Sequence, residues 1–160
     1  SMGSDQADFD LDGDYDLMVT DMAPPSMSAM KTHMFDLPID WYLSNQRIFG
    51  VEQVTRNMLY SRSGEDYVDV GEMNGLSRTD WSWSVFIEDI RNREYPDILV
   101  ANGLKRDFHD NDYSRKNFDD KDYHLFEGVP DAIKLVEKMP QRGLQNCFFT
   151  RTQPRLFSET

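Results

Sequence analysis

Residues 8–16 read Asp-Phe-Asp-Leu-Asp-Gly-Asp-Tyr-Asp, with aspartates at alternate positions and a glycine at the sixth place. Alternate residues of an extended chain share a face, so these carboxylates repel one another unless positive charge neutralises them. A divalent cation does so economically. Calcium takes about six to eight oxygens at roughly 2.3–2.6 Å, supplied by a short turned loop with donors at alternate positions and Gly at the sixth. On that template Asp8, Asp10 and Asp12 offer side chains, Asp14 its backbone carbonyl, and Asp16 closes the shell. Gly13 permits the turn, which a residue bearing a Cβ resists. The shell closes earlier than in a helix-flanked loop, and the β-prone run Leu17-Met18-Val19 follows at once. The pattern predicts a Ca2+ loop between two strands. A solvated acidic tail, the common fate of charge runs, leaves the alternation, the glycine and the strand unexplained.

The elements that must hold this loop are read from periodicity. Residues 16–20 form a strand. Residues 21–56 break the β pattern with Pro24-Pro25 and scattered methionines, Met22, Met27, Met30 and Met34, whose irregular spacing suits gap-filling packing. A short helix is expected from Asp40 as N-cap to Phe49, ended by Gly50. Met58-Leu59-Tyr60, a turn at Ser63-Gly64-Glu65 and Tyr67-Val68-Asp69-Val70 read as a hairpin. Trp81 to Ile87 alternates as a strand that places Trp81 and Trp83 on one face, as core packing or as a sugar-stacking platform. Ile98-Leu99-Val100 is a further strand. Within 103–143, residues 131–139 have helical spacing between Pro130 and Pro140. Cys147-Phe148-Phe149 and Leu156-Phe157 form a closing strand pair.

Composition narrows the function classes. The 160 residues carry 29 acidic and 17 basic side chains, a formal charge of −12, which disfavours a nucleic-acid partner and suits cation binding. Hydrophobic residues at 39% and aromatics at 12% fit a folded chain. A single cysteine, Cys147, excludes an internal disulfide and a multi-thiolate metal site. No run is long and apolar enough for membrane insertion. No signal peptide is visible, and residues 1–4 read as a cloning scar.

The chain repeats itself. Tyr15-Asp16-Leu17-Met18-Val19 matches Pro96-Asp97-Ile98-Leu99-Val100, and Asn57-Met58-Leu59-Tyr60-Ser61-Arg62 matches Asn146-Cys147-Phe148-Phe149-Thr150-Arg151. Each unit is strand, acidic loop, strand, long insertion, hairpin. Four strands per unit make the four-stranded antiparallel sheet of a β-propeller blade. The expected fold is all-β with helical insertions, a partial propeller of roughly two blades. The first blade spans 5–80 with insertion 21–56, and the second spans 81–160 with insertion 103–143. The first is expected to lack its opening strand, because Ser4-Asp5-Gln6-Ala7 stands where the second unit has Trp83 to Ile87. So few blades imply either the remainder of a larger propeller or copies that assemble as a homo-oligomer.

The second acidic loop is degenerate. Asp89 and Asp97 stand in register with Asp8 and Asp16, but Arg91 and Arg93 replace Asp10 and Asp12. Either an arginine forms ion pairs with Asp89 and Asp97 in place of a cation, or both point into solvent.

The ordered set of motifs resembles the FG-GAP/VCBS repeats of integrin-α-like β-propellers, in particular those of Bacteroidetes-type secreted proteins that also carry an ASPIC/UnbV domain. It comprises residues 8–17, Arg56-Asn57-Met58-Leu59-Tyr60, Val70-Gly71-Glu72, Gly75-Leu76-Ser77, Thr79-Asp80-Trp81-Ser82-Trp83, Val100-Ala101-Asn102-Gly103-Leu104 and Arg106-Asp107-Phe108. The resemblance implies Ca2+ in the first loop and a secreted, periplasmic or cell-surface location. It also implies adhesion or binding of a protein or carbohydrate ligand rather than catalysis. The degenerate second loop and Thr152-Gln153-Pro154 depart from the family pattern, and no ASPIC/UnbV part is present.

No nucleophile elbow, phosphate-binding glycine loop or zinc spacing occurs. Of His33, His109 and His124, only His109 has close acidic neighbours, and the bland reading of residues 107–112 is a solvated loop. The ligand surface to be considered comprises Trp81, Trp83, Asp107, His109 and Asp112. A carbohydrate-active enzyme using Asp107, Asp110 or Asp112 is an alternative resting on fold analogy alone. A self-assembling structural unit is another.

Overall fold

Leu17-Met18-Val19 lies in β2 (Asp16–Thr20), and pairing spreads from it to both sides. The computed structural model describes residues 1–32, 39–50, 54–107, 110, 112–113, 137–153 and 156–159. β1 (Gly3–Ala7) and β4 (Met58–Ser63) flank β2, and β5 (Asp66–Asp69) completes an antiparallel sheet of order β1-β2-β4-β5. β4 and β5 are a hairpin closed between Ser63 and Asp66, where Gly64 takes a φ of 68°. The second sheet runs β6 (Asp80–Glu88), β7 (Asp97–Asn102), β8 (Cys147–Gln153) and β9 (Leu156–Glu159), again antiparallel throughout. Two residues of the first insertion, β3 (Met22–Ala23), add to the other side of β6.

The sequence repeat is a repeat of register. Leu17 faces Gln6 and Tyr60 across its neighbours, and Ile98 faces Ile87 and Phe149 in the same way. Met18 pairs with Asp5 and Leu59, and Leu99 with Phe86 and Phe148. Because side chains alternate along a strand, each sheet has two corresponding faces. Met18 and Leu59 of the first sheet share one core with Val85, Ile87, Ile98, Val100 and Phe149 of the second. Phe9, Leu76 and Val70 fill in around them.

The expectation that the first unit lacks its opening strand is corrected. Gly3–Ala7 pairs with β2 along its whole length, and its first two residues, Gly3 and Ser4, belong to the stretch that reads as a cloning scar. Strand formation here follows from the ladder to β2 and from packing, not from β-propensity. Ser4 and Gln6 point outward, while the inward Asp5 carboxylate accepts the Ile87 N–H at 2.8 Å. Gly3 meets the backbone of Trp83 and Ser84 so closely that a Cβ would lie 2.7 Å from the Trp83 carbonyl oxygen.

The chain divides into two compact units, one holding both sheets and the other made of residues 26–54 and 104–143. In the second unit α1 (Met27–Thr32) is capped by Ser26, whose hydroxyl accepts the Ala29 N–H. α2 (Ile39–Phe49) ends at Gly50, with a φ of 66°. Arg106 bridges to Gln141 and donates to the Met139 carbonyl, and Tyr113 donates to that of Lys138. The helix expected over 131–139 falls mostly outside the described residues. Among the described residues no helix is long and apolar enough to cross a membrane.

Candidate metal centre

β1 leads into the acidic loop and β2 leads out, with Ala7 and Asp16 as the last pair of the ladder. The loop is organised by its own carboxylates. The two oxygens of Asp8 accept the N–H groups of Asp12 at 3.0 Å and Gly13 at 2.9 Å. Asp12 accepts the Asp14 N–H at 2.9 Å. Leu11 and Gly13 adopt left-handed backbone, with φ of 64° and 95°. A Cβ at Gly13 would meet nothing within 4 Å, so glycine serves the backbone angle there rather than space.

Asp16 is 1% exposed and accepts the N–H groups of Phe9 at 2.9 Å and Arg62 at 2.8 Å. Asp10 is also buried, with the Ser61 hydroxyl donating to it at 3.4 Å. One oxygen each from Asp8, Asp10 and Asp16 lie within 4.8 Å of one another. Two ligands of one calcium ion are at most about 5 Å apart, twice the coordination distance, so these three fit one shell. A carboxylate oxygen that accepts one N–H still has a lone pair for a metal. The structure therefore brings together three of the expected side chains. The Asp12 side chain turns to the Asp14 amide, and that of Asp14 lies 3.4 Å from the Arg62 guanidinium.

Burial and like charge both act on the Asp16 carboxyl. Burial pushes the Asp16 carboxyl above its ordinary value of 3.8, the two N–H bonds oppose this, and the charges of Asp10 and Asp12 add to it.

The second loop has the same backbone and a different charge. Asp89 accepts the N–H groups of Arg93 at 2.8 Å and Glu94 at 2.7 Å, as Asp8 does in the first loop. Asn92 and Glu94, in register with Leu11 and Gly13, are again left-handed. Arg91, in register with Asp10, forms a two-bond ion pair with Asp97, at 2.9 Å from Nε and 2.6 Å from the terminal nitrogen. Arg93 contributes its backbone N–H to Asp89. The Arg91 guanidinium also lies over the Phe148 ring, 5.9 Å from its centroid.

The residues considered as a ligand surface fall in both compact units, Trp81 and Trp83 in the one that holds the sheets and Asp107 and Asp112 in the other. Trp81 and Trp83 have ring centroids 6.3 Å apart, but a register shift between Ser82 and Ser84 interrupts the alternation. Trp83 is half-exposed and its indole N–H bonds the Gly103 carbonyl. Asp107 is tied to Pro140 through its N–H and lies 3.6 Å from the Arg142 guanidinium. Asp110 accepts the Tyr113 N–H, and Asp112 is exposed. His109, His33 and His124 lie outside the described residues.

Four contributors to the first loop escape a reading of its aspartates. Phe9, between two of them, is fully buried in the core. Ser61 and Arg62 arrive from β4, and Arg151 of β8 donates to the Asp10 carbonyl at 3.1 Å. The repeat carries a signal for the last two, since Arg62 and Arg151 occupy matching positions. No family model, no curated protein and no solved structure matches this chain.

Proposed function

We propose that this chain is a non-catalytic, calcium-binding repeat module of FG-GAP/VCBS type. Its two sheets are blades of a β-propeller in an exported protein that mediates adhesion or binds a protein or glycan ligand. The observation that carries the reading is the convergence of Asp8, Asp10 and Asp16, two of them buried, where the sister loop sets a guanidinium. The matching register of β1-β2-β4 and β6-β7-β8, up to the shift at Ser82–Ser84, supports a blade repeat. The cation pins the turn from β1 into β2. Ligand contacts belong to the insertions, 26–54 and 104–143, which form a unit of their own.

A cation that binds only the folded state adds about 2.7 kcal/mol at a hundredfold excess over its dissociation constant. For a chain of this size that raises the melting temperature by about 5–10 °C. Thermal melts in calcium and in chelator measure it, and Asp10→Asn should erase the difference. Identical wild-type melts in the two buffers would overturn the assignment.

A further inference from the structure

The sheet–sheet packing inside this chain is head to tail. The first sheet buries the face that carries Asp5, Met18 and Leu59. The second buries the opposite face, with Val85, Ile87, Ile98, Val100 and Phe149. Each sheet thus keeps one face whose counterpart in its sister is core. On the second sheet that face carries Phe86, Leu99 and Phe148, in register with Asp5, Met18 and Leu59. Phe86 is 51% exposed, whereas Met18 and Leu59 are fully buried. On the first sheet it carries Ser4, Gln6, Leu17, Val19, Met58 and Tyr60, in register with the covering residues Val85 to Phe149. Leu17 is 36% exposed, and Ile98 in its place is fully buried.

We infer that these two faces are halves of one interface, and that a second copy of this chain docks across it, first sheet onto second. The occupant is identified by the packing already present, which shows what covers a face of this register and in what orientation. Offset alignment sets Phe86 of one copy beside Gln6 of the next, as Asp5 sits beside Ile87 within the chain. None of these side chains is charged, in a sequence where 29% of residues are; the charged groups of the two faces, Glu88 after Phe86, Arg62 after Tyr60 and the Arg91–Asp97 pair beside Phe148, stand next to the acidic loops, where Arg91 already has its partner. The contact is heterologous, and copies joined this way close into a ring or extend. High salt, by screening a charge of −12 per copy, strengthens the association. The inference does not depend on the loop holding a cation.

Sedimentation of the intact chain over a concentration series, in calcium and separately in chelator, tests it. The expected masses are multiples of 18.7 kDa that rise with concentration. Leu17→Arg spoils one face and Phe86→Arg the other, so each variant alone stays at 18.7 kDa. Their mixture has one intact interface, and gives a pair of twice that mass and nothing larger. Gln6→Arg, also on an exposed side chain, should replace Leu17→Arg in that scheme, and a native melting curve for each variant confirms folding. A wild type that remains a single copy at every concentration overturns the proposal. So do variants that still self-associate alone, or a mixture that forms no pair.

Discussion

The two acidic loops share a backbone and differ in how they supply charge. In both, the first aspartate accepts the N–H groups four and five residues on, and in both the third and fifth residues after it are left-handed. The shape therefore does not depend on Asp10 and Asp12, which the second loop replaces with Arg91 and Arg93. What differs is the partner of the buried carboxylate that opens the next strand. Asp97 has the Arg91 guanidinium; Asp16 has Asp10 and Asp8 converging beside it. A second contrast lies between the aspartates, where Phe9 is a core residue and Ile90, in register with it, is 47% exposed. The first loop is anchored by an aromatic ring and the second by an ion pair.

The largest effect expected from this contrast is at the anchor. Phe9→Ala should cost about 3–5 kcal/mol, as truncation of a buried Phe does, whereas Ile90→Ala should change stability by no more than about 0.5 kcal/mol. Denaturant midpoints measure both. Equal costs would mean that the second loop is packed as tightly as the first.

Next is the charge itself. Arg91→Asp gives the second loop the carboxylate of the first, beside Asp89 and Asp97. It should melt lower than wild type in chelator and recover in calcium by about 2–3 kcal/mol at a hundredfold excess over the dissociation constant. To isolate the new site, the substitution is made in an Asp10→Asn background. A variant with no calcium response would show that the first loop needs more than its carboxylates.

The pH dependence is smaller and has a definite sign. The Asp16 carboxyl titrates above 3.8 in the folded chain, so folding favours its protonated form. In chelator its contribution is fully present below 3.8 and is lost as pH rises through the raised folded value. Asp10→Asn removes one like charge and should shrink that loss. In calcium the order reverses, because protons compete with the cation and its affinity falls as the pH is lowered. Urea titrations at stepped pH, with and without calcium, read both slopes.

The smallest effect concerns the shared turn. Gly13→Ala should cost about 1 kcal/mol at a φ of 95°. Glu94→Gly relieves a left-handed residue but loosens the unfolded chain, and should be neutral or stabilising by up to about 1 kcal/mol. A Glu94→Gly variant as destabilised as Gly13→Ala would show that the Glu94 side chain holds the turn.

Much of this fold was legible because its signals are local. Leu17-Met18-Val19, Met58-Leu59-Tyr60 and Ile98-Leu99-Val100 carry their own β-propensity, and Gly50 and Gly64 mark the ends they make. The matching of residues 15–19 to 96–100 and of 57–62 to 146–151 set the order that follows each acidic loop, a strand, an insertion and a hairpin. The second loop's arginines announced a change of charge, and left open which of them would answer it.

What the sequence by itself determined was this order, and a row of aspartates that demand positive charge. Those follow from neighbours along the chain. Only the tertiary structure decided that Ser4-Asp5-Gln6-Ala7 is a strand, because its hydrogen bonds go to β2 and Asp5 answers an N–H on β6, far along the chain. It also decided that Asp8, Asp10 and Asp16 converge while Asp12 turns to the Asp14 amide, and that Arg91 rather than Arg93 reaches Asp97. Alternation offers every carboxylate to the same face. Which of them meet depends on the left-handed turns at Leu11 and Gly13 and on the burial of Phe9, and burial is settled by packing between residues distant in sequence.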